Sequence, residues 1–267
     1  MKSDSETPDD HVLSSITDRV LTITLNRPDK HNAITYPMYE SLTRLLTDAD
    51  KDSTVRVVVL TGAGEFFTSG NDVNSFKFGA GLAYNEKPSF HFMNTLASFS
   101  KPVIAAVNGN AIGIGVTLLL HCDLVYATDR SRFKLPFLSM GFVPEFASTL
   151  LLSASIGYSK AAELLMIGDT FTSGQAETLG FINQATTADN LQDLVRSRAT
   201  NLASKPPEAV QTTKRLMKKH ANSLVVSTID EEAQEFSKCL QRPETQAIVA
   251  SFLNRSNNKA GAPGTEA

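Results

Sequence analysis

Glu145 lies in Gly141-Phe142-Val143-Pro144-Glu145-Phe146, a single carboxylate among apolar neighbours just after a strand-like stretch. If Phe142, Val143 and Phe146 also surround it in space, lost hydration raises its pKa and makes it a stronger base than an exposed Glu. A loop Glu is ordinarily solvated, and neighbours in sequence need not be neighbours in space, so other segments must supply the case. Two glycine-containing loops do so. Phe66-Phe67-Thr68-Ser69-Gly70-Asn71-Asp72-Val73 follows an apolar strand and its turn Thr61-Gly62-Ala63-Gly64. Asn108-Gly109-Asn110-Ala111-Ile112-Gly113-Ile114-Gly115 follows a second strand and opens a helix. Glycines past strand ends let backbone approach a ligand, and amides at a helix start have no internal partner. Two such N–H groups aimed at one oxygen would stabilise a developing oxyanion. One Gly-x-Gly alone usually serves a tight turn, so the pair carries more than either. Gly62-Ala63-Gly64 is not a dinucleotide-binding fingerprint, because Phe67 stands where the third glycine belongs.

Elements that could hold these loops are readable around them. Val20 to Leu25 alternates as a strand, and Val55 to Leu60 is a continuous apolar run expected to be a strand buried on both faces. Between them Tyr36 to Asp50 reads as a helix, with Pro37 early and Met38, Leu42, Leu45 and Leu46 on one stripe. A helical stretch around Phe90 to Phe99 precedes a third strand, Val103 to Val107. The apolar helix Val116 to Leu120 precedes a fourth, Asp123 to Ala127. This order is α/β layering. From about Ser159 the chain turns helical, over Ala161 to Ile167, Gly174 to Leu179, Asn190 to Ala203, Pro207 to Ala221 and Ser227 to Cys239. Asn257 to Ala267 reads as a loose tail.

With 267 residues, 42% of them hydrophobic and 20% charged, the chain can bury a substantial core in one or two domains. A net charge of -3 offers no positive field for nucleic acid or an anionic membrane surface, so neither is expected as a partner. The apolar runs are broken well short of the roughly 20 residues that span a bilayer. Cys122 and Cys239, far apart in segments that read as a buried helix and an amphipathic helix, fit a reducing compartment. Met1 to Asp10 is acidic and polar, unlike a secretion signal or transit peptide, and Gly264-Thr265-Glu266-Ala267 is not a Ser-Lys-Leu address. The expectation is cytoplasmic residence, with a peroxisomal role through a partner left open. His121-Cys122-Asp123 lacks metal-ligand spacing and is read as structural, and no metal is expected. An anionic ligand would need a local basic cluster: either Arg27, Lys30 and His31, or Lys214, Arg215, Lys218, Lys219 and His220, where a solvated helix face serves equally well. Asp72 is read as a cap for a helix starting near Asn74.

Read together, Asn26-Arg27-Pro28-Asp29-Lys30-His31-Asn32-Ala33-Ile34, Ser69-Gly70-Asn71-Asp72-Val73, Lys101-Pro102-Val103-Ile104-Ala105-Ala106-Val107-Asn108-Gly109 and Cys122-Asp123-Leu124-Val125-Tyr126-Ala127 with the Phe133 to Pro144 segment resemble the crotonase family, the enoyl-CoA hydratase and isomerase superfamily. The resemblance runs from about Val20 to Leu253. It implies a crotonase-type, ClpP-like ββα spiral core, taken as residues 1–200, and a helical C-terminal region, 201–267, that builds homotrimers, often paired into hexamers. It also implies acyl-CoA thioesters as substrates, with coenzyme A part of the substrate and no separate cofactor.

Carried over by position, the oxyanion amides fall on Asn71 and Ile114, and the Ile114 side chain, where many relatives have Gly, is expected to narrow the pocket. Substrate contacts fall on Lys30, His31, Ser69, Gly70, Asn71, Asp72, Val73, Gly113, Ile114 and Phe137. The positions of the two hydratase Glu residues hold Thr117 and Phe137, so hydration is disfavoured. Glu145 sits where Δ3,Δ2-enoyl-CoA isomerases carry their catalytic Glu, and Ser-Gly-Asn-Asp is the loop form of the peroxisomal-type isomerases. The implied reaction is a double-bond shift in a 3-enoyl-CoA by one base, within unsaturated fatty acid β-oxidation; Phe76, Phe137, Phe142 and Phe146 are candidates for lining the acyl tunnel, and ordinary core packing explains them equally well. Another acyl-CoA reaction of the family, such as hydration, dienoyl isomerisation or hydrolysis, and a non-catalytic acyl-CoA-binding module are the alternatives.

Overall fold

A computed structural model describes residues 11–78 and 81–260. Its strands and helices run β1 (Val12–Thr17), β2 (Val20–Leu25), α1 (Tyr36–Lys51), β3 (Val57–Gly62), β4 (Phe66–Thr68), α2 (Ser75–Phe78), α3 (Pro88–Ser98), β5 (Val103–Val107), β6 (Asn110–Ile112), α4 (Ile114–Thr117), β7 (Leu124–Thr128) and β8 (Arg132–Lys134). They continue as α5 (Ser148–Ile156), α6 (Tyr158–Ala162), β9 (Phe171–Thr172), α7 (Ser173–Thr178), β10 (Gln184–Thr186), α8 (Ala188–Ala203), α9 (Pro207–Lys218), α10 (Asn222–Leu240) and α11 (Pro243–Ala260).

Strands that follow one another in pairs part company into two sheets. The first member of each pair, β3, β5 and β7, enters a sheet of order β1-β2-β3-β5-β7-β10; the second, β4, β6 and β8, enters a smaller sheet of order β4-β6-β8-β9. Pairing is parallel except at β1 with β2 and β8 with β9. With helices α2, α3 and α4 following the pairs, this is the strand-strand-helix spiral of the crotonase fold. It also explains the continuous apolar runs. Val57, Val59, Ile104, Ala106 and Tyr126 face Leu191, Val195, Ala199 and Ala203 of α8, while the alternating set Val58, Leu60, Val103, Ala105 and Val107 faces the main core. A parallel strand covered on both faces loses the polar half of its alternation.

Helix α1 forms as its residue pattern predicts. The Thr35 side chain accepts the Met38 amide at its start, Pro37 occupies the first turn, and Met38, Leu42, Leu46 and Ala49 are buried, with Tyr39 beside them. Several expectations need correction. The strand expected over Val55 to Leu60 is β3, which begins at Val57, although Val55 is buried. The expected helix Val116 to Leu120 is one α-turn, α4, followed by a tighter turn over Leu118–His121. Helix α11 continues through residue 260, so 257–260 are helical rather than a loose tail. The rest of that tail, with the readings of Met1 to Asp10 and of the terminal Gly264 to Ala267, lies outside the described residues. No helix among the described residues is long and apolar enough to cross a membrane.

The basic stretch of α9 is not a wholly solvated face. Lys214 is buried; its Nζ donates to the Asp123 carboxylate at 2.7 Å and to the Lys101 carbonyl at 2.6 Å, and Asp123 also accepts the Val103 amide at 2.8 Å. This pair ties the C-terminal helices to the edge from which β5 and β7 start, which accounts for the Asp of His121-Cys122-Asp123. The His of that triplet is structural as well: its ring stacks on Phe146 with centroids 3.9 Å apart and Nε2 bonds the Phe146 carbonyl at 2.8 Å, while burial pushes its pKa down to about 3. Asp123→Ala leaves the buried Lys214 ammonium without a counter-charge. The expected cost, discounted because Asp123 is partly solvated, is about 2 kcal/mol in urea denaturation.

Candidate active site

The loop Asn26 to Ile34 is the support for the first glycine loop. Asn32, fully buried with φ 54°, donates through Nδ2 to the carbonyls of Ala63 and Phe66 and accepts the Arg27 amide. Thr68 Oγ1 donates to the Asn32 carbonyl at 2.6 Å and accepts the Gly70 amide at 3.0 Å. Residues 69–73 are thus fastened from both sides before they reach the site.

Asn71 lies beside Ile34 in a parallel bridge in which Ile34 N–H donates to Gly70 O and Asp72 N–H to Ile34 O. That pattern engages the residues on either side and turns the Asn71 N–H the other way. The second loop presents Ile114 as the first residue of α4. Gly113 O receives the amides of Val116 and Thr117, and the Ile114 N–H lies outside the helical ladder. Neither the Asn71 nor the Ile114 N–H has a protein acceptor among the described residues. The loops abut at Gly70, where a Cβ would stand 2.6 Å from Ile112 O and 3.8 Å from Ile114 N; a second glycine, Gly115, lies against Thr68.

Glu145 reaches this junction from the turn before α5. Phe146 and Ala147 both have positive φ, 68° and 53°, a conformation that costs about 1 kcal/mol or more per non-glycine residue. Two residues hold the turn: His121, whose ring stacks on Phe146 and bonds its carbonyl, and Glu232 of α10, whose carboxylate accepts the Thr149 amide at 3.0 Å and its hydroxyl at 2.5 Å. The Glu145 side chain is enclosed, the residue being 5% exposed, and Oε1 accepts from Asn71 Nδ2 at 2.8 Å. Asn71 Oδ1 in turn accepts from the Tyr39 hydroxyl at 2.6 Å. An ionised Glu145 carboxylate can only accept, so it selects the NH2 end of Asn71 and leaves Oδ1 to take the Tyr39 hydroxyl proton.

Burial pushes the Glu145 pKa up to about 7. The Asn71 hydrogen bond opposes that shift, the charge of Glu232 adds to it, and the charge of Lys87 opposes it. Glu232, also buried, is raised to about 7, mainly by desolvation against the hydrogen bonds from Thr149. A carboxyl poised near neutrality and oriented by an amide is suited to take and return one proton.

The remaining expected site residues divide by position. Asp72 pairs with Arg27 at 2.7 Å and caps Asn74 N at 2.9 Å, as its spacing predicts. Lys30 and His31 are exposed, with His31 stacked on Phe66 at 4.2 Å; Ser69 and Val73 are half-buried beside Gly70 and Asn71. The Ile114 side chain is fully buried in the core and does not narrow the pocket, a correction that follows from α4 turning that side chain inward. Thr117 is buried, with its hydroxyl 3.5 Å from the Ile114 carbonyl.

A cavity of about 30 Å³ adjoins Glu145 and Asn71. Of the four phenylalanines expected along it, Phe76 lines it and Phe142 stands behind, 5.4 Å from Phe76 and stacked at 4.4 Å on Phe236. Phe137 and Phe146 belong to the core instead. Residues not anticipated in the site are Tyr39, Lys87, Glu232 and the side chain of Asn71. One signal was available: in the apolar stripe Ile229, Ala233, Phe236 and Cys239 of α10, Glu232 occupies a buried position. Among the described residues, no group of three or more His, Cys, Asp and Glu side chains could hold a metal ion.

The family described as Enoyl-CoA hydratase/isomerase matches residues 15–260. Enoyl-CoA delta isomerase 2 of Rattus norvegicus is 35% identical over 241 residues, 88% of this chain, and the chain spans 61% of the length of that protein. The peroxisomal enoyl-CoA delta isomerase 3 of Mus musculus is 32% identical over 249 residues, covering 91% of this chain and 78% of the mouse protein. OdaA of Pseudomonas aeruginosa superposes with a TM-score of 0.89 at 41% identity, over 92% of this chain and 99% of that one. Proteins named as hydratases are also among the matches. With the spiral of paired strands, the two abutting glycine loops and a match over nearly the whole length, the chain belongs to the enoyl-CoA hydratase/isomerase family, the crotonase superfamily.

Proposed function

We propose that the protein is a Δ3,Δ2-enoyl-CoA isomerase of unsaturated fatty acid β-oxidation. The observation that carries this reading is the enclosed carboxylate of Glu145, which lines the cavity and is held by Asn71 beside two unengaged main-chain N–H groups. The ionised Glu145 removes a proton from C2 of a 3-enoyl thioester, a carbon acidified by both the carbonyl and the neighbouring double bond. The C–H electron pair moves from C2 into the thioester carbonyl, leaving a dienolate conjugated with the C3–C4 double bond, and the N–H groups of Asn71 and Ile114 bind its oxygen. Glu145 then delivers the same proton to C4, giving the conjugated 2-enoyl thioester. The proton count closes within substrate and enzyme, so the scheme uses no metal or redox cofactor. The surrounding Phe76, Phe142 and Phe236 keep water from the dienolate.

Incubation with trans-3-hexenoyl-CoA should yield the conjugated thioester, followed by its ultraviolet absorbance. Appearance of a 3-hydroxy product, of free coenzyme A, or of neither product would instead select hydration, hydrolysis or a binding module. The pH dependence has a definite sign. Glu145 works deprotonated, so kcat/KM should fall about tenfold per pH unit below about pH 7 and level off above it, as measured over pH 5.5–9.

The assembly proposed is a homotrimer or a pair of trimers; large apolar side chains left at the surface, among them Met166, Ile167, Met217 and Leu224, support self-association. The cytoplasm is the proposed location, and the peroxisomal mouse relative makes the peroxisome the one to test against it.

A further inference from the structure

Lys87 is a charged residue of the cavity that the proton transfer does not use. It precedes Pro88, the first residue of α3, and is 9% exposed, yet it lines the same space as Glu145. Its ammonium has three donors, and among the described residues the hydrogen bond it makes is to Ser237 Oγ at 3.1 Å. No carboxylate forms an ion pair with it there. Burial pulls its pKa down, opposed by the charge of Glu145. A buried cation with one neutral partner is an expensive arrangement unless something else completes it. Ser89 and Ser237 share this wall of the cavity, and Phe76, Phe90, Phe236 and Met93 make the rest largely apolar. The void of about 30 Å³ has room for a group of roughly two water-sized units. At Lys87 the unmet demand of this space is for an acceptor of negative charge.

We infer that Lys87, with Ser237 and Ser89, forms a subsite for a carboxylate at the far end of a short acyl chain, so that the preferred ligands are thioesters of dicarboxylic acids rather than plain fatty acyl thioesters. The inference rests on the proposed function for the direction in which the acyl chain enters, with the thioester oxygen at Asn71 and Ile114. A terminal carboxylate replaces the missing ion-pair partner of Lys87, and the surrounding apolar groups strengthen that pairing by excluding water. A terminal methyl would instead bury against an ammonium and strip it of hydration.

The test uses non-reacting saturated ligands, adipoyl-CoA and hexanoyl-CoA, titrated calorimetrically into the full-length protein. Wild type should bind adipoyl-CoA at least tenfold more tightly. Lys87→Met should reduce adipoyl-CoA to the level of hexanoyl-CoA and leave hexanoyl-CoA within threefold, whereas Lys87→Arg, which keeps the charge, should retain most of the preference. Equal affinities in wild type, tighter binding of hexanoyl-CoA, or an equal loss for both ligands in Lys87→Met with Lys87→Arg no better would overturn the subsite. Because binding involves no proton transfer, the result separates from the isomerase reading. Tight adipoyl-CoA binding without conversion of trans-3-hexenedioyl-CoA would sink the isomerase and keep the subsite, and the converse result would do the reverse.

Discussion

Glu145→Gln is expected to lower the isomerisation rate constant by about 10³- to 10⁴-fold while leaving KM within a few-fold, because in the proposed mechanism it removes the one group that moves the proton and little else. Gln is close to isosteric, and its amide oxygen can still accept from Asn71 Nδ2, so the Tyr39-Asn71 arrangement survives. The same variant should be more stable than wild type at pH 8, which tells loss of chemistry apart from loss of fold. The sign follows from the raised pKa. Folded Glu145 holds its proton up to about pH 7, whereas the unfolded side chain releases it near 4.5. The contribution to stability is therefore fully present below pH 4.5 and is lost as pH rises through about 7. That difference corresponds to about 3 kcal/mol, and Glu145→Gln does not incur the loss. Glu232 titrates in the same direction and stays in place, so the variant keeps part of the wild-type slope. Rates for trans-3-hexenoyl-CoA and urea unfolding at pH 5 and pH 8 measure both halves. Unchanged turnover in Glu145→Gln would remove this residue as the base.

The features legible in the sequence are those whose physics is local. Strands β3 and β5 announce themselves as continuous apolar runs because both faces are covered, and α1 as a stripe with a cap. Harder elements have local patterns that say little. Strand β1, Val-Leu-Ser-Ser-Ile-Thr, buries Val12 and leaves its other residues exposed, so its place at the sheet edge is decided by pairing with β2. Strands β4, β6 and β8 have three residues each, too few for alternation to register, and the second sheet they build is a product of topology. Helix α5 has the run Leu150-Leu151-Leu152 with no polar face opposite, so it shows no amphipathic period. The site divides in the same way. Glu145 and the two glycine loops stand out by type and neighbours. Tyr39, Lys87 and Glu232 come from α1, the start of α3 and α10, and their bearing on Glu145 arises when the spiral and the C-terminal helices close over one another. The solvated alternative for Lys214 fails for a related reason: α9 turns that one lysine inward onto Asp123, 91 positions away in sequence.

Gly70→Ala should cut kcat/KM by about 10²- to 10³-fold, the largest effect expected from a residue that has no side chain in the chemistry. Two costs coincide at this position. Its φ of 91° is one that L side chains rarely adopt, and the added Cβ would stand 2.6 Å from the Ile112 carbonyl oxygen, a main-chain atom of β6 that cannot rotate away. Relief requires the loop to move off the second loop. That movement carries the Asn71 N–H away from the proposed oxyanion position between it and Ile114, and loss of one such donor is worth about 10²–10³ in rate. It also shifts the Asn71 side chain from Glu145, so donor and base are disturbed together. A stability loss of about 2 to 4 kcal/mol should accompany it, from backbone strain and overpacking. Gly180→Ala is the control: Gly180 also has positive φ, 74°, but a Cβ there meets nothing within 4 Å. It should cost about 1 to 2 kcal/mol and leave turnover unchanged. If Gly70→Ala behaves like Gly180→Ala, losing a little stability and no rate, then the contact between the two loops does not set the geometry on which the proposed oxyanion site depends.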